Sequence, residues 1–429
     1  MRRLAMTALA LLGGIVALAA AEATVLSGRV GVSSYLWERS ELDTTETRHL
    51  QNTGTLSLRL ARIAGQDLCV STSMRGRYDA RNRGDNTDDY RVYHFNVRWR
   101  NVADRVDLEA GRHRLYWPTG TVNIDGGSAE ARLWRGISIG GYYGVTPPED
   151  GSLKLTEFDE GHAYGARLNL PKCRLGRIIV AFAERRGAHG YVVDGQAVEV
   201  NNLISRRIGI DWRRPIDGFG TAYGQLVYQI PTHRIGRVHL SARWRATPTV
   251  SVHGQFRYRR PDIAYNSIFW VFGPSRYYEA RLRANIRLNP TWTVNVGGTY
   301  VDFVDDNTQR FDVGLSHRYF SVMIHGKAGG AGSTMGLTGN ALYPINDRWT
   351  VHGGARYSSY EFGEDQEDAN WETAIWGGAR WNWMTQSSIE LEAQFLSQDV
   401  TTQQDFAGNE SDFRLMARIS YWFFNRFGA

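Results

Sequence analysis

The stretch Ile235–Arg260, IGRVHLSARWRATPTVSVHGQFRYRR, decides the fold. Every second residue from Val238 is apolar: Val238, Leu240, Ala242 and Trp244. Between them stand Arg237, His239, Ser241, Arg243 and Arg245. After the breaker Ala246-Thr247-Pro248 the alternation restarts, with Val250, Val252, Gly254, Phe256 and Tyr258 against Ser251, His253, Gln255, Arg257 and Arg259. A period of two, interrupted by a short proline turn, is a β-hairpin with one greasy and one wet side. The pattern recurs almost to the C-terminus, in segments as long as the ~9–11 residues of a tilted membrane-crossing strand.

The rest of the composition agrees. Mean hydropathy is −0.40 and charged residues make up 22%, so no average over the chain looks like membrane protein. The one long apolar run, Leu4–Ala21, follows Arg2-Arg3 and precedes Ala21-Glu22-Ala23. These are the three parts of a secretory signal peptide. Cleavage is expected after Ala23 or Ala21, leaving 1–23 as signal and 24–429 as one transmembrane barrel. The run is short and rich in Ala and Gly, which argues against a transmembrane helix, and no later segment would cross a bilayer as a helix. Glycine (46), tyrosine (21), tryptophan (14) and phenylalanine (17) are abundant. Export plus alternation points to a Gram-negative outer membrane. Only Cys69 and Cys173 occur, without CxxC or CxxCH. That excludes a disulfide-stapled scaffold, a Cys-rich zinc site and covalently attached haem in this chain. The formal charge of +6 hides a lopsided choice, since Lys154, Lys172 and Lys327 are the only lysines among 50 basic side chains. A guanidinium can fork across neighbouring carboxylates on a strand face.

Taken in order, the chain enters its first strand at Val25, leaving no room for an N-terminal plug. Tyr277–Leu288 is the cleanest strand, with Tyr278, Ala280, Leu282, Ala284, Ile286 and Leu288 against Glu279, Arg281, Arg283, Asn285 and Arg287. The least regular region is Leu115–Asp125, followed by a weakly alternating strand at about Asp125–Trp134. Gly187–Asn202 reads as a long loop. Pro261–Ser275 reads as a loop too, although Ile268, Phe269, Trp270, Val271 and Phe272 make it apolar. The total is about 22 strands (20–22), an even number as closure of a single bacterial chain demands. Connections such as Ala64-Gly65, Asn289-Pro290 and Met384–Ser387 are short, while most of those on the other side are long and polar. Short periplasmic turns and longer outer loops place both termini in the periplasm.

Tryptophans give an independent sign. Trp99, Trp134, Trp212, Trp244, Trp292, Trp349 and Trp381 each lie within a few residues of a short turn, as an aromatic girdle at headgroup level would. The last strand carries Phe413, Leu415, Ala417, Ile419, Tyr421 and Phe423. With these features the chain resembles the Gram-negative outer-membrane β-barrel porins, over residues 24–429. Gly111-Arg112-x-x-Leu115 followed by Asp125-Gly126 is also similar to a segment of larger porin-like exporters of the alginate-export type. The resemblance implies an all-β, antiparallel up-and-down transmembrane barrel. It departs from the family at the end, where Phe427 is followed by Gly428-Ala429 instead of closing on an aromatic residue.

A barrel of this size is ~45 Å across, too wide for side chains to fill, and barrels this large commonly hold a plug. None is encoded here. The pore is therefore wide, or narrowed by inward folding, or filled by a separate protein. Tyr116, Trp117 and Asn123, with Phe269 and Trp270, are the candidate constriction residues. Arg59, Arg75, Arg77, Arg98, Arg100, Arg237, Arg243, Arg245, Arg257, Arg259, Arg281, Arg283 and Arg287 are expected to face the lumen. Glu279, Glu372, Glu390 and Glu392 are the clearest acids on the same wall. Arginine rings favour anions, which points to a channel for small hydrophilic solutes with anion preference; the alternative is a passive wall of mutually bonded side chains. His94, His239 and His253 face inward but nothing orders them with Ser and Asp, so no enzyme is expected. Asp85, Asp88 and Asp89, or Glu364, Asp365, Glu367 and Asp368, could meet Ca²⁺ or lipopolysaccharide, but neither run has EF-hand spacing. Membrane lipid, lipopolysaccharide and small solutes are the expected partners, and no cofactor, resident metal or nucleic acid is. A second reading is the insulating sheath of a periplasmic multihaem cytochrome, as in porin–cytochrome conduits.

Overall fold

The computed structural model describes residues 24–427 apart from 40–46, 82–88, 149, 194–195, 217, 219, 261–275, 305, 331, 362–369 and 401–407. The expected signal segment, and Phe269 and Trp270 of the apolar loop, lie outside the described residues. The chain forms 22 strands in one sheet, each hydrogen-bonded to its neighbours in sequence. The strands run β1 (Val25–Arg39), β2 (Thr47–Ala61), β3 (Leu68–Asp79), β4 (Asp89–Val102), β5 (Val106–Trp117) and β6 (Gly120–Arg132). Next come β7 (Ser138–Val145), β8 (Gly161–Cys173), β9 (Gly176–Val193), β10 (Gln196–Ile216), β11 (Gly220–Gln229) and β12 (Arg234–Arg245). They continue as β13 (Val250–Arg259), β14 (Tyr277–Arg287), β15 (Trp292–Phe303), β16 (Asn307–His317) and β17 (Phe320–Gly329). The last five are β18 (Ser333–Pro344), β19 (Trp349–Glu361), β20 (Asn370–Met384), β21 (Ser387–Val400) and β22 (Gly408–Arg426). β1 pairs antiparallel with β22 from Val25↔Arg426 to Trp37↔Arg414, which closes the barrel.

Closure is what the bilayer requires, because an unpaired N–H or C=O facing hydrocarbon costs several kcal/mol. The pleat then sorts side chains strictly. Across β12, β13 and β14 one row holds Leu240, Phe256 and Ala280, while the other holds His239, Arg257 and Glu279. Leu282, in the middle of β14, is 61% exposed, a cost only a lipid-facing side chain avoids. Trp99, Trp212, Trp244, Trp292, Trp349 and Trp381 all lie on the apolar row near the turn that carries the periplasmic assignment. Trp349 and Trp381 stack with ring centres 5.7 Å apart. Trp212 Nε1 donates to the carbonyl of Leu175 at 2.6 Å, anchoring the indole edge to a turn. Leu26 of β1, Leu60 of β2 and Phe423 of β22 pack with Phe427 at the seam.

Two expectations need correction. The 115–125 region is not irregular: β5 runs on to Trp117, the chain reverses at 118–119, and β6 starts at Gly120. The strand expected at 125–134 is thus β6, displaced toward the N-terminus. The 187–202 loop is largely strand, because β9 reaches Val193 and β10 begins at Gln196. A ribbon whose two faces meet the same surroundings needs no two-residue alternation, and this stretch has none that is strict. Most outer connections are long, as expected, while 118–119, 230–233, 304–306 and 330–332 are short. Cys69 and Cys173 are both free.

The two faces of β14 make opposite demands, which a pair of substitutions separates. Leu282→Arg is expected to destabilise the barrel by about 2–4 kcal/mol in urea titrations from lipid vesicles. Asn285→Arg, on the polar face of β14 opposite Ser251 and Asn295, is expected to change stability far less. Equal costs would overturn the assignment of faces.

Candidate channel lining and inward hairpin

Register fixes where the arginines sit. Arg75 and Arg77 of β3 lie opposite Thr55 and Thr53, on the row away from Leu56 and Leu58. Arg98 and Arg100 flank outward Trp99 and share the polar row of Asn96. Arg243 lies opposite His253, Arg245 opposite Ser251, and Arg259 opposite Arg237. Arg257 lies opposite Glu279, Arg281 opposite Gln255, and Arg283 opposite His253, while Arg287 pairs with Thr293. Like charges set directly across a ladder, as at Arg237 and Arg259, cost stability.

These arginines divide into two groups. Arg75 and Arg77 share Asp89 at 3.2 and 3.5 Å. Arg98 forms a 2.6 Å pair with Glu109, which also accepts from Asn96 Nδ2 at 2.6 Å. Arg257 approaches Glu279 at 3.6 Å, and Asp312 meets Arg283 at 3.1 Å and Arg281 at 4.0 Å. For this group the passive-wall reading holds. Arg100, Arg243, Arg245, Arg259 and Arg287 form no ion pair with a carboxylate among the described residues. Glu109 and Asp312 escaped sequence reading because their partners are adjacent only through strand pairing, while Asp89, read as part of an acidic loop run, opens β4 among Arg75, Arg77 and Arg91.

The candidate constriction residues Tyr116, Trp117 and Asn123 fall on the upper half of the β5–β6 hairpin. β4–β5 pairing stops at Phe95↔Arg112, and β6–β7 pairing stops at Asp125↔Val145. Beyond these points the hairpin leaves the wall and folds into the lumen. Gly111 makes the bend at φ 107°, in a region L side chains rarely adopt, and a Cβ there would lie 2.3 Å from Phe95 O. Arg112 and Asp125 lock the base through two parallel bonds of 2.7 and 2.6 Å. Both side chains are almost wholly buried, so the match of fork to carboxylate fixes register as well as charge.

One face of the hairpin is seated on the wall. Ile124 is fully buried and packs with Trp117 against Tyr142 of β7, Ala163 of β8 and Ala181 of β9. Trp117 meets Tyr142 edge to face at 4.7 Å, and the Arg167 guanidinium lies 5.2 Å over the indole. Each large apolar side chain buried here contributes ~1.5–3 kcal/mol. At the tip the backbone rests on Gly209 of β10, where a Cβ would be 2.5 Å from the Pro118 carbonyl carbon. Gln225 of β11 donates to Pro118 O at 3.2 Å. The hairpin thus covers the lumen side of β7 to β11.

The wall it abandons is repaired by the outer loop between β7 and β8. Val92 N–H of β4 donates to Gly151 O at 2.8 Å, occupying a ladder position that β5 has vacated. Arg112 Nη1 donates to Ser152 O at 2.6 Å, tying the same loop to the hairpin base. Asp150 accepts the Ser152 N–H at 2.8 Å, and this bond, ahead of the Arg112 and Arg91 charges, holds its carboxyl below the usual carboxylate range.

The hairpin's other face looks into the pore. Arg114 Nε donates to Asn123 Oδ1 at 2.7 Å, and Tyr116 is 71% exposed. Between this face and the wall of β1 to β4 lies a cavity of about 760 Å³ bordered by Arg29, Arg59, Arg98, Arg100, Arg114 and Tyr116. Tyr116, Trp117 and Asn123 therefore sit together on an inward element, Trp117 on its seated face and the other two on its open one.

No family profile matches the chain, and no curated protein does. Among solved structures, the P pilus usher translocation pore aligns with a TM-score of 0.48 at 7% identity, covering 92% of this chain and 99% of that one. OccAB3 of Acinetobacter baumannii gives 0.43 at 7% identity, with 93% and 99% covered. OccK11 (OpdR) of Pseudomonas aeruginosa gives 0.40 at 9% identity, with 94% and 98% covered. Likeness at this level says nothing of solute or partner, which rest on the lumen's own residues.

Proposed function

We propose that the chain is a porin-like diffusion channel of the outer membrane, narrowed by the β5–β6 hairpin and selective for small anionic solutes. The observation that carries this reading is the cationic cavity under the hairpin, where Arg29, Arg59, Arg100 and Arg114 meet water without a carboxylate partner of their own among the described residues. Concentrating unneutralised guanidinium groups in one place costs folding energy through mutual repulsion. A permeating anion recovers that cost in the low-dielectric surroundings of a narrow passage. The unpaired arginines of β12 to β14 extend the same field along the facing wall.

Reversal potentials across a planar bilayer test the selectivity. The full barrel is expected to pass chloride in preference to potassium, and Arg100→Gln with Arg114→Gln to move the ratio toward unity. An unchanged ratio would sink the anion reading. The hairpin is tested by replacing residues 113–124 with a two-residue Asn-Gly turn, leaving the Arg112–Asp125 lock in place. Single-channel conductance is expected to rise; if it does not, the hairpin does not set the bore. A barrel obtained only with haem protein bound, and silent by itself, would favour the sheath reading instead.

A further inference from the structure

Far around the barrel from the hairpin, three side chains of metal-ligand type meet on the lumen wall near the periplasmic rim. His352 comes from β19, and Glu390 and Glu392 come from β21. One potential ligand atom from each lies within 4.8 Å of the others. β20 separates the two strands, and the register places Gly378 opposite both His352 and Glu392. A Cβ at Gly378 would stand 2.7 Å from His352 Nε2, so only glycine lets the imidazole cross β20 to reach β21. His352 Nε2 ends 3.0 Å from Glu392 Oε2.

The charges around this cluster do not balance. Arg380 Nη2 donates to Glu390 Oε2 at 3.1 Å, and Gln394 Nε2 donates to Glu392 Oε1 at 2.6 Å. Arg418 registers opposite Glu390 but turns its guanidinium toward Met416 Sδ, 3.9 Å away. Among the described residues, Glu392 thus has for partners an imidazole and an amide, neither with a fixed positive charge. Two carboxylates at alternate positions on one strand share a single permanent cation. The cluster borders a cavity of about 500 Å³ on the lumen wall, so an ion has both a route and room for water.

We propose that His352, Glu390 and Glu392 bind a divalent transition-metal ion, with Zn²⁺ as the reference ion. One imidazole and two carboxylates suit zinc, copper or nickel better than calcium, which takes more oxygens and larger cages. Metal–ligand bonds of ~2.0–2.2 Å need the three donors drawn together around one point, which side-chain rotation alone supplies. Bound metal also removes negative charge from the lumen's acidic side and strengthens its preference for anions.

Isothermal titration of the full, detergent-refolded barrel with ZnCl₂ tests the site directly, whatever the pore conducts. One ion per chain is expected. His352→Ala and Glu392→Gln are each expected to weaken binding by about tenfold or more, while Glu372→Gln, on the same wall outside the cluster, is not. Micromolar Zn²⁺ is expected to shift the wild-type reversal potential further toward anions and to leave His352→Ala unmoved. Absence of stoichiometric binding by the wild type would overturn the proposal, and so would its survival in both ligand variants. A failure of anion selectivity with the titration intact would count against the channel reading and leave the metal site standing.

Discussion

Every other property of this molecule depends on the hydrogen bonds between its first and last strands. An open sheet of this size would present two raw edges to hydrocarbon, where no water can serve the exposed amides. Pairing of β1 with β22 removes both edges at once. With the ring closed, each residue has only two directions available, and lipid and water choose between them. The apolar row that holds Leu240, Phe256 and Leu282 and the arginine row behind it are consequences of closure, not of local strand preference.

Closure at this diameter creates the problem that the β5–β6 hairpin answers. Too many strands separate opposite walls for side chains to meet across the middle. The hairpin leaves the wall at Gly111 and is gripped at its base by the Arg112–Asp125 pair. Its seated face, built on Trp117 and Ile124, makes it a second layer over β7 to β9. Soluble-protein packing therefore exists on one side of the lumen. Polar residues left on the hairpin's open face, Arg114 and Asn123 among them, have nothing to do but meet water and what dissolves in it.

The strand faces were legible in the sequence because hydrocarbon tolerates no error in them. Arg281 and Arg283 could be assigned to the polar row from Leu282 alone. The hairpin was harder, since its two faces see protein and pore where a wall strand sees lipid and pore, and Leu115, Val122 and Ile124 then read as an irregular stretch. The upper parts of β9 and β10 were missed for a related reason, as their sequence carries no strict two-residue alternation. Ion partners were less legible still. Asp312 is 29 residues from Arg283, and Glu392 is 40 from His352, so only strand pairing brings them together. No local motif could announce a cluster assembled across the ladder.

The loop that patches the wall beside β4 has a mechanical meaning. Its Gly151 carbonyl holds the position β5 gave up, and its Ser152 carbonyl holds the guanidinium at the hairpin's root. The hairpin cannot swing back into the shell without first expelling that loop. A molecule that binds the loop from outside therefore pulls, through these two carbonyls, on the innermost element of the barrel.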